Sequence, residues 1–89
     1  MRTPSYARQF ERDVKRMQKR GKDLQKLKSV LSSLIAEEQL AERYQDHTLI
    51  GNYKGRRECH LEPDWLLIYK LAGNKIIFER TGTHSDLFE

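Results

Sequence analysis

The sequence predicts an α+β domain, an N-terminal helical hairpin packed on one face of a small, mainly antiparallel β-sheet, and three observations carry that expectation. Apolar residues recur at helical spacing through the first forty-odd residues, the period changes after Glu42, and two apolar runs near the C-terminus are joined by Gly73-Asn74. In the first helix the repeat is Phe10, Val14 and Met17; in the second it is Leu24, Leu27, Leu31, Leu34 and Ile35. Between them Gly21 supplies a left-handed stop, and Asp23 can accept a backbone N–H bond as a cap. So short a link implies an antiparallel hairpin. The outer face of the first helix carries Arg8, Arg12, Lys15, Arg16, Lys19 and Arg20 against Glu11 and Asp13. A solvated face explains such a run first, and nucleic-acid contact second.

Beyond Glu42, Gly51-Asn52-Tyr53-Lys54-Gly55 reads as a turn into a strand over Arg56 to Leu61, which Pro63 closes. Trp65 to Tyr69 is apolar on both faces, as a central strand requires, and Gly73-Asn74 turns the chain into a partner strand over Lys75 to Thr81. Residues 2–6 can add a short strand before the first helix, where Pro4 restricts it to an edge. No internal repeat or low-complexity linker divides the chain, so residues 1–89 are expected to form a single domain.

Composition narrows the function. An 89-residue chain with 37% apolar residues can bury one modest core, which leaves little room for a large cofactor. Seventeen Lys and Arg against thirteen Asp and Glu give a formal charge of +4, favouring polyanionic partners. The single cysteine, Cys59, excludes an intrachain disulfide framework and fits a reducing cytoplasm. The N-terminus lacks the apolar core of a signal peptide, and the longest apolar run, Trp65 to Tyr69, is too short to span a bilayer. A soluble, unprocessed chain without a membrane partner is expected.

The chemistry-bearing residues collect in the C-terminal half. His47, His60 and His84 lie there with Glu58, Asp64 and the cations Lys54, Arg56, Arg57 and Arg80. Cutting RNA without a metal needs a base for the ribose 2′-hydroxyl proton, an acid for the departing 5′-oxygen, and cations for the charge on the phosphorane. Histidine, carboxylate and arginine are the side chains that supply these roles. Each also has an ordinary structural reading. His47 fits a loop, His60 a cross-sheet hydrogen bond on the face it shares with Glu58, His84 a turn cap, and Asp64 a reversal after Pro63. Trp65 and Phe78 read as core, whereas for Phe88, near the end of the sequence, stacking on a base competes with terminal packing.

Spacing argues against a zinc site, since there is no CxxC pair or HExxH helix, and Pro63 prevents His60 and Asp64 from lying one helical turn apart. Cys59 is a poor nucleophile candidate because its neighbour His60 points to the opposite face of the strand. No glycine-rich phosphate loop is present.

The order of elements, together with four strings, resembles the YafQ branch of the RelE/ParE toxin superfamily. These are Arg12-Asp13-Val14 leading to Lys22-Asp23-Leu24-Gln25-Lys26-Leu27; Asp46-His47-Thr48-Leu49 with Gly51 to Gly55; His60 through Lys70; and Phe78 through Phe88. The last two are the most specific. The resemblance implies a RelE-like fold and a metal- and cofactor-independent endoribonuclease that cuts mRNA at the ribosome, leaving a 2′,3′-cyclic phosphate and a 5′-hydroxyl. It implies that His47, His60, Asp64 and His84 form the acid–base set, with His84 the proton donor and His60 and Asp64 in base or orienting roles. It implies that Arg80 neutralises phosphate charge, that Phe88 positions a base, and that Trp65 shapes the same pocket or buttresses it from the core. Lys54, Arg56 and Arg57 are expected phosphate contacts by charge and location. The implied partner is an antitoxin with a ribbon-helix-helix DNA-binding half. Two alternatives stand beside this reading: a gyrase poison of the ParE branch, and a non-catalytic RNA- or ribosome-binding module.

Overall fold

A computed structural model describes residues 1–88, apart from the side chain of Asn52. The helices form where apolar spacing places them, α1 at Arg8–Lys19 and α2 at Leu24–Ile35. Gly21 adopts φ of +82°, a conformation that costs a side-chain-bearing residue energy, and ends the first helical segment. The Asp23 side chain accepts the Gln25 backbone N–H at 3.0 Å, satisfying one of the otherwise orphaned donors of α2.

Five strands follow the order β1-β5-β4-β3-β2, with β1 at Thr3–Tyr6, β2 at His47–Thr48, β3 at Arg57–Glu62, β4 at Trp65–Ala72 and β5 at Lys75–Gly82. β1 runs parallel to β5 and the other pairings are antiparallel. Pro4 sits in the exposed edge strand β1, where its missing N–H costs the ladder least.

Burial follows the two-residue alternation of β4. Trp65, Leu67 and Tyr69 pack against Phe10 and Met17 of α1 and Leu27, Val30 and Leu34 of α2, while Leu66 and Ile68 point to the other face. On that second face they meet Leu87, with Leu49 and Tyr53 alongside. Leu87 belongs to a short helix, α3 (His84–Phe88), where the sequence suggested only a turn capped by His84. Its capping is reciprocal: the Thr83 N–H donates to Asp86 at 2.9 Å, and the Asp86 N–H donates to the Thr83 hydroxyl at 3.1 Å. Both Asp86 oxygens also accept from Arg20, at 2.7 and 3.1 Å, fastening α3 to the end of α1. Arg20 and Thr83 hold the Asp86 carboxyl far below the usual carboxylate range. Gly82 is required beneath this cap, because a Cβ there would lie 2.9 Å from the Asp86 Cβ.

One expected surface residue is buried. Asp13 was grouped with the solvated face of α1 but is fully enclosed. β1 pairs only as far along β5 as Phe78, so the next part of the β5 edge is left to α1. There Asp13 accepts the Thr81 backbone N–H at 3.1 Å, Arg80 Nε at 2.7 Å and Arg16 at 2.7 Å. Several donors compensate the burial of one carboxylate.

Candidate active site

The site lies on the sheet face away from the helical hairpin. On β3, Cys59 and Leu61 belong to the core beneath the helices, whereas Glu58 and His60 alternate with Cys59 and face the other way. β2 pairs His47 directly across from Glu58, and α3 begins at His84. Three imidazoles separated by 37 residues of chain therefore share one surface. The ring centroids of His47 and His60 are 6.2 Å apart, those of His60 and His84 are 6.0 Å apart, and Phe88 stands 6.1 Å beyond His84.

Each ring has a polar partner. Asp64 Oδ1 accepts both the His84 backbone N–H at 2.9 Å and the His84 Nδ1 at 2.7 Å. These bonds, backbone first, lower the Asp64 pKa, so the carboxylate remains an acceptor. The Nδ1 hydrogen is thereby fixed, leaving His84 Nε2 as the atom free to give or take a proton. The His47 Nδ1 meets the Gln45 carbonyl, which can only accept, so that nitrogen carries the hydrogen. His60 Nε2 lies 3.1 Å from Glu58 Oε1, and His47 Nε2 lies 3.7 Å from the same oxygen. Glu58 is only 5% exposed and serves as a buried carboxylate between two rings.

The expected cations divide. Arg80 is held by Asp13, which keeps its guanidinium charged. Tyr53 packs edge-to-face on Phe88, 5.4 Å between centroids, and donates to the Leu87 carbonyl at 3.1 Å. Tyr53 is thus joined to the histidine face through Phe88. Arg56 pairs with Glu79 at 2.8 Å, and Lys54 is exposed with no ion pair among the described residues. Phe88 is 44% exposed and presents an open ring face beside His84.

Two expected substrate contacts are not brought to this surface. Arg57 lies on the helix side of the sheet, bonded to the Tyr69 hydroxyl and to Asp46 at 3.3 Å each. Burial opposes its charge, but these two partners outweigh that cost and raise its pKa. Trp65 is fully buried beneath the helices, and its indole N–H donates to the Thr81 hydroxyl at 2.9 Å. It offers no face to a base and acts only as a core buttress. Cys59 is also fully buried, its thiol pushed up to about 12 chiefly by burial, and is inert as a nucleophile.

Three participants were absent from the expected site. Glu58 was legible as the face-mate of His60, though its shared contact with His47 depends on β2. Tyr53 had no signal beyond its position in a turn. Asp13 sat in one of the four family-like strings but carried no local sign of burial. Among the described residues, no three His, Cys, Asp or Glu side chains gather closely enough to hold a metal ion.

The family model for the bacterial toxin of the type II toxin-antitoxin system, YafQ, matches residues 2–89. The chain belongs to the YafQ toxin family. A curated relative, the mRNA interferase toxin YafQ of Escherichia coli K12, is 51% identical over 84 residues, covering 93% of this chain and 91% of that protein. The toxin in the crystal structure of the E. coli DinJ-YafQ complex superposes with a TM-score of 0.93 at 49% identity, each chain covered in full. A metal-bound toxin from Helicobacter pylori superposes with a TM-score of 0.92 at 42% identity, covering 99% of this chain and all of that one. The RelE-like α+β fold expected from the sequence is that of the YafQ family.

Proposed function

We propose that this chain is the toxin of a type II toxin–antitoxin pair and an endoribonuclease that cuts mRNA on the ribosome without a metal. The observation that carries the reading is the facing pair of imidazoles, His60 on Glu58 and His84 on Asp64, 6.0 Å between centroids. A phosphodiester between them would have a proton acceptor on one side and a proton donor on the other. The His47–Glu58–His60 cluster takes the proton from the ribose 2′-hydroxyl, and the 2′-oxygen attacks phosphorus. The P–O5′ bond breaks as His84 Nε2 delivers a proton to the departing oxygen, leaving a 2′,3′-cyclic phosphate and a 5′-hydroxyl. Arg80, Arg56 and Lys54 offset charge on the phosphorane, and Phe88 stacks on a neighbouring base. A groove of about 630 Å³ beside His60, lined also by Lys26, Arg43 and Tyr44, gives the strand room to leave the cleft.

The titration sense follows from the residue types and from Asp64. Asp64 has a depressed pKa, so its hold on His84 is complete above the ordinary carboxylate range and is lost only as pH falls through the lowered value. Proton acceptance on one side of the phosphodiester and proton donation on the other then set the two limbs of the pH–rate profile. Cleavage of ribosome-bound mRNA measured against pH should give a bell. A rate that is flat from acidic to alkaline buffer, or no cleavage at any pH, contradicts the proposal.

The partner that restrains this activity is an antitoxin with a ribbon-helix-helix DNA-binding half and an acidic toxin-binding segment. The basic balance of the chain favours such a segment, which would fold over the cationic cleft and compete with RNA.

A further inference from the structure

Asp46 and His47 are neighbours in the chain, yet their side chains end on opposite sides of the sheet. His47 joins the histidine face, whereas the Asp46 carboxylate reaches the helix side, where Oδ1 accepts the Tyr69 hydroxyl at 2.6 Å and Arg57 Nε at 3.3 Å. The same guanidinium nitrogen donates to the Tyr69 oxygen at 3.3 Å, closing a triangle of three side chains. Tyr69 is 1% exposed, and its ring packs against Phe78 in the main core, 6.4 Å between centroids. The anchor beneath Asp46 is therefore part of the close-packed interior. Burial and the adjoining carboxylate keep the Tyr69 hydroxyl protonated, so it stays a donor.

Few other bonds fix the segment that delivers His47. β2 is two residues long, pairing His47 with Glu58 and Thr48 with Arg57. Before it, Gln45 adopts φ of +48°, uncommon for a residue with a side chain, and the His47 Nδ1 relies on the Gln45 carbonyl. Side chains alternate along an extended strand, so a slip of one residue would turn His47 toward the helices and Asp46 toward the cleft. So short a ladder specifies its register weakly. A carboxylate fastened to a buried hydroxyl supplies what the ladder lacks, because it bonds there only while His47 faces the other way. A phenylalanine ring would fill the core equally well without burying a hydroxyl, so packing alone does not account for Tyr69.

We propose that Asp46, held by the Tyr69 hydroxyl and Arg57, is a positioning residue that seats His47 beside Glu58 and His60. The three act from behind the sheet, through the backbone between residues 45 and 47, and do not touch substrate. The inference rests on the nuclease reading for its kinetic consequence, but its direct test needs no cleavage. The first variant is Tyr69→Phe, which removes one oxygen and keeps the ring. Asp46→Ala is the second, and Asp46→Asn the conservative one, with circular dichroism and urea unfolding to verify that each folds. Long-range proton–nitrogen correlation spectra of isotope-labelled protein read the tautomer of each imidazole, and the His47 signals are those missing from His47→Gln.

At a pH where the ring is neutral, wild-type His47 should show a single tautomer with its hydrogen on Nδ1. In Tyr69→Phe and Asp46→Ala the His47 signals should average between both tautomers while those of His84 stay unchanged. Asp46→Asn, whose amide oxygen still accepts from the hydroxyl, should restore most of the wild-type pattern. Cleavage of ribosome-bound mRNA by Tyr69→Phe should fall about tenfold to a hundredfold in kcat with KM little changed, the loss that follows when a reacting group is misplaced by about an ångström. A wild-type His47 ring that is already averaged, or a single tautomer retained in either folded variant, would overturn the proposal whatever happens to cleavage. Averaged His47 signals with wild-type kcat would leave the clamp standing and contradict the catalytic role given to His47. A wild-type chain that cuts no mRNA fails the nuclease reading, and the His47 spectra still decide the clamp.

Discussion

His84→Gln is expected to lower mRNA cleavage by about two to four orders of magnitude, the range that a positioned proton donor contributes. The argument is geometric. Asp64 occupies Nδ1 and the backbone N–H of the same residue, so the ring is held in one orientation with Nε2 outward. Glutamine can retain a hydrogen bond to Asp64 but has no proton to deliver to a leaving alkoxide near neutral pH. Folding should be nearly untouched, since the His84 side chain is 55% exposed and joins neither apolar cluster. Primer extension on mRNA from cells expressing the variant should lack the breaks that the wild-type chain produces. Growth arrest at wild-type strength by the variant would argue for a non-catalytic binding module, or for a target other than RNA.

Asp13→Ala is expected to have the largest effect on stability. The carboxylate is fully buried and accepts from Arg80, Arg16 and the Thr81 N–H at the β5 edge, joining α1 to the sheet. Truncation leaves a partly buried guanidinium and a buried N–H without their acceptor, a change that costs about 3–5 kcal/mol. Against a total stability of about 5–15 kcal/mol for a domain this size, that loss is severe. Urea unfolding should show a much lower midpoint, with Asp13→Asn intermediate because one amide oxygen still accepts. A midpoint equal to wild type would mean that α1 and β5 are held together by their apolar contacts alone.

Local chemistry made most of the fold legible. Gly21 and Asp23 mark the helix junction by conformational freedom and capping, and the doubly apolar run from Trp65 declares a central strand. The alternation that puts Glu58 and His60 on one face and Cys59 on the other is equally local. The unread parts depend on distant partners. β2 is two residues long, too short for any periodicity, and exists through pairing with Arg57 and Glu58. α3 has five residues and is held by Arg20, 66 positions away from Asp86. Asp13 differs from its solvated neighbours only because the β5 edge lies open where α1 crosses it.

The same distinction separates the site residues. His60 and Asp64 flank one turn, and their proximity is written in the chain; His47 and His84 arrive through β2 and α3. Arg57 and Trp65 show the converse, since charge suggested substrate contact for the first and the family resemblance allowed it for the second, but strand parity turns both toward the helices. A basic or aromatic side chain beside a site contributes only if the register presents it there.

Attack by the ribose 2′-oxygen is the step we propose for these imidazoles, and one measurement isolates it. An mRNA with a single 2′-deoxy nucleotide at the mapped cleavage position, offered on the ribosome beside its all-ribose counterpart, should remain intact there while the counterpart is cut. Cleavage of the deoxy substrate at the normal rate would show that the nucleophile comes from elsewhere, and the roles assigned to His47, His60 and His84 would fail together.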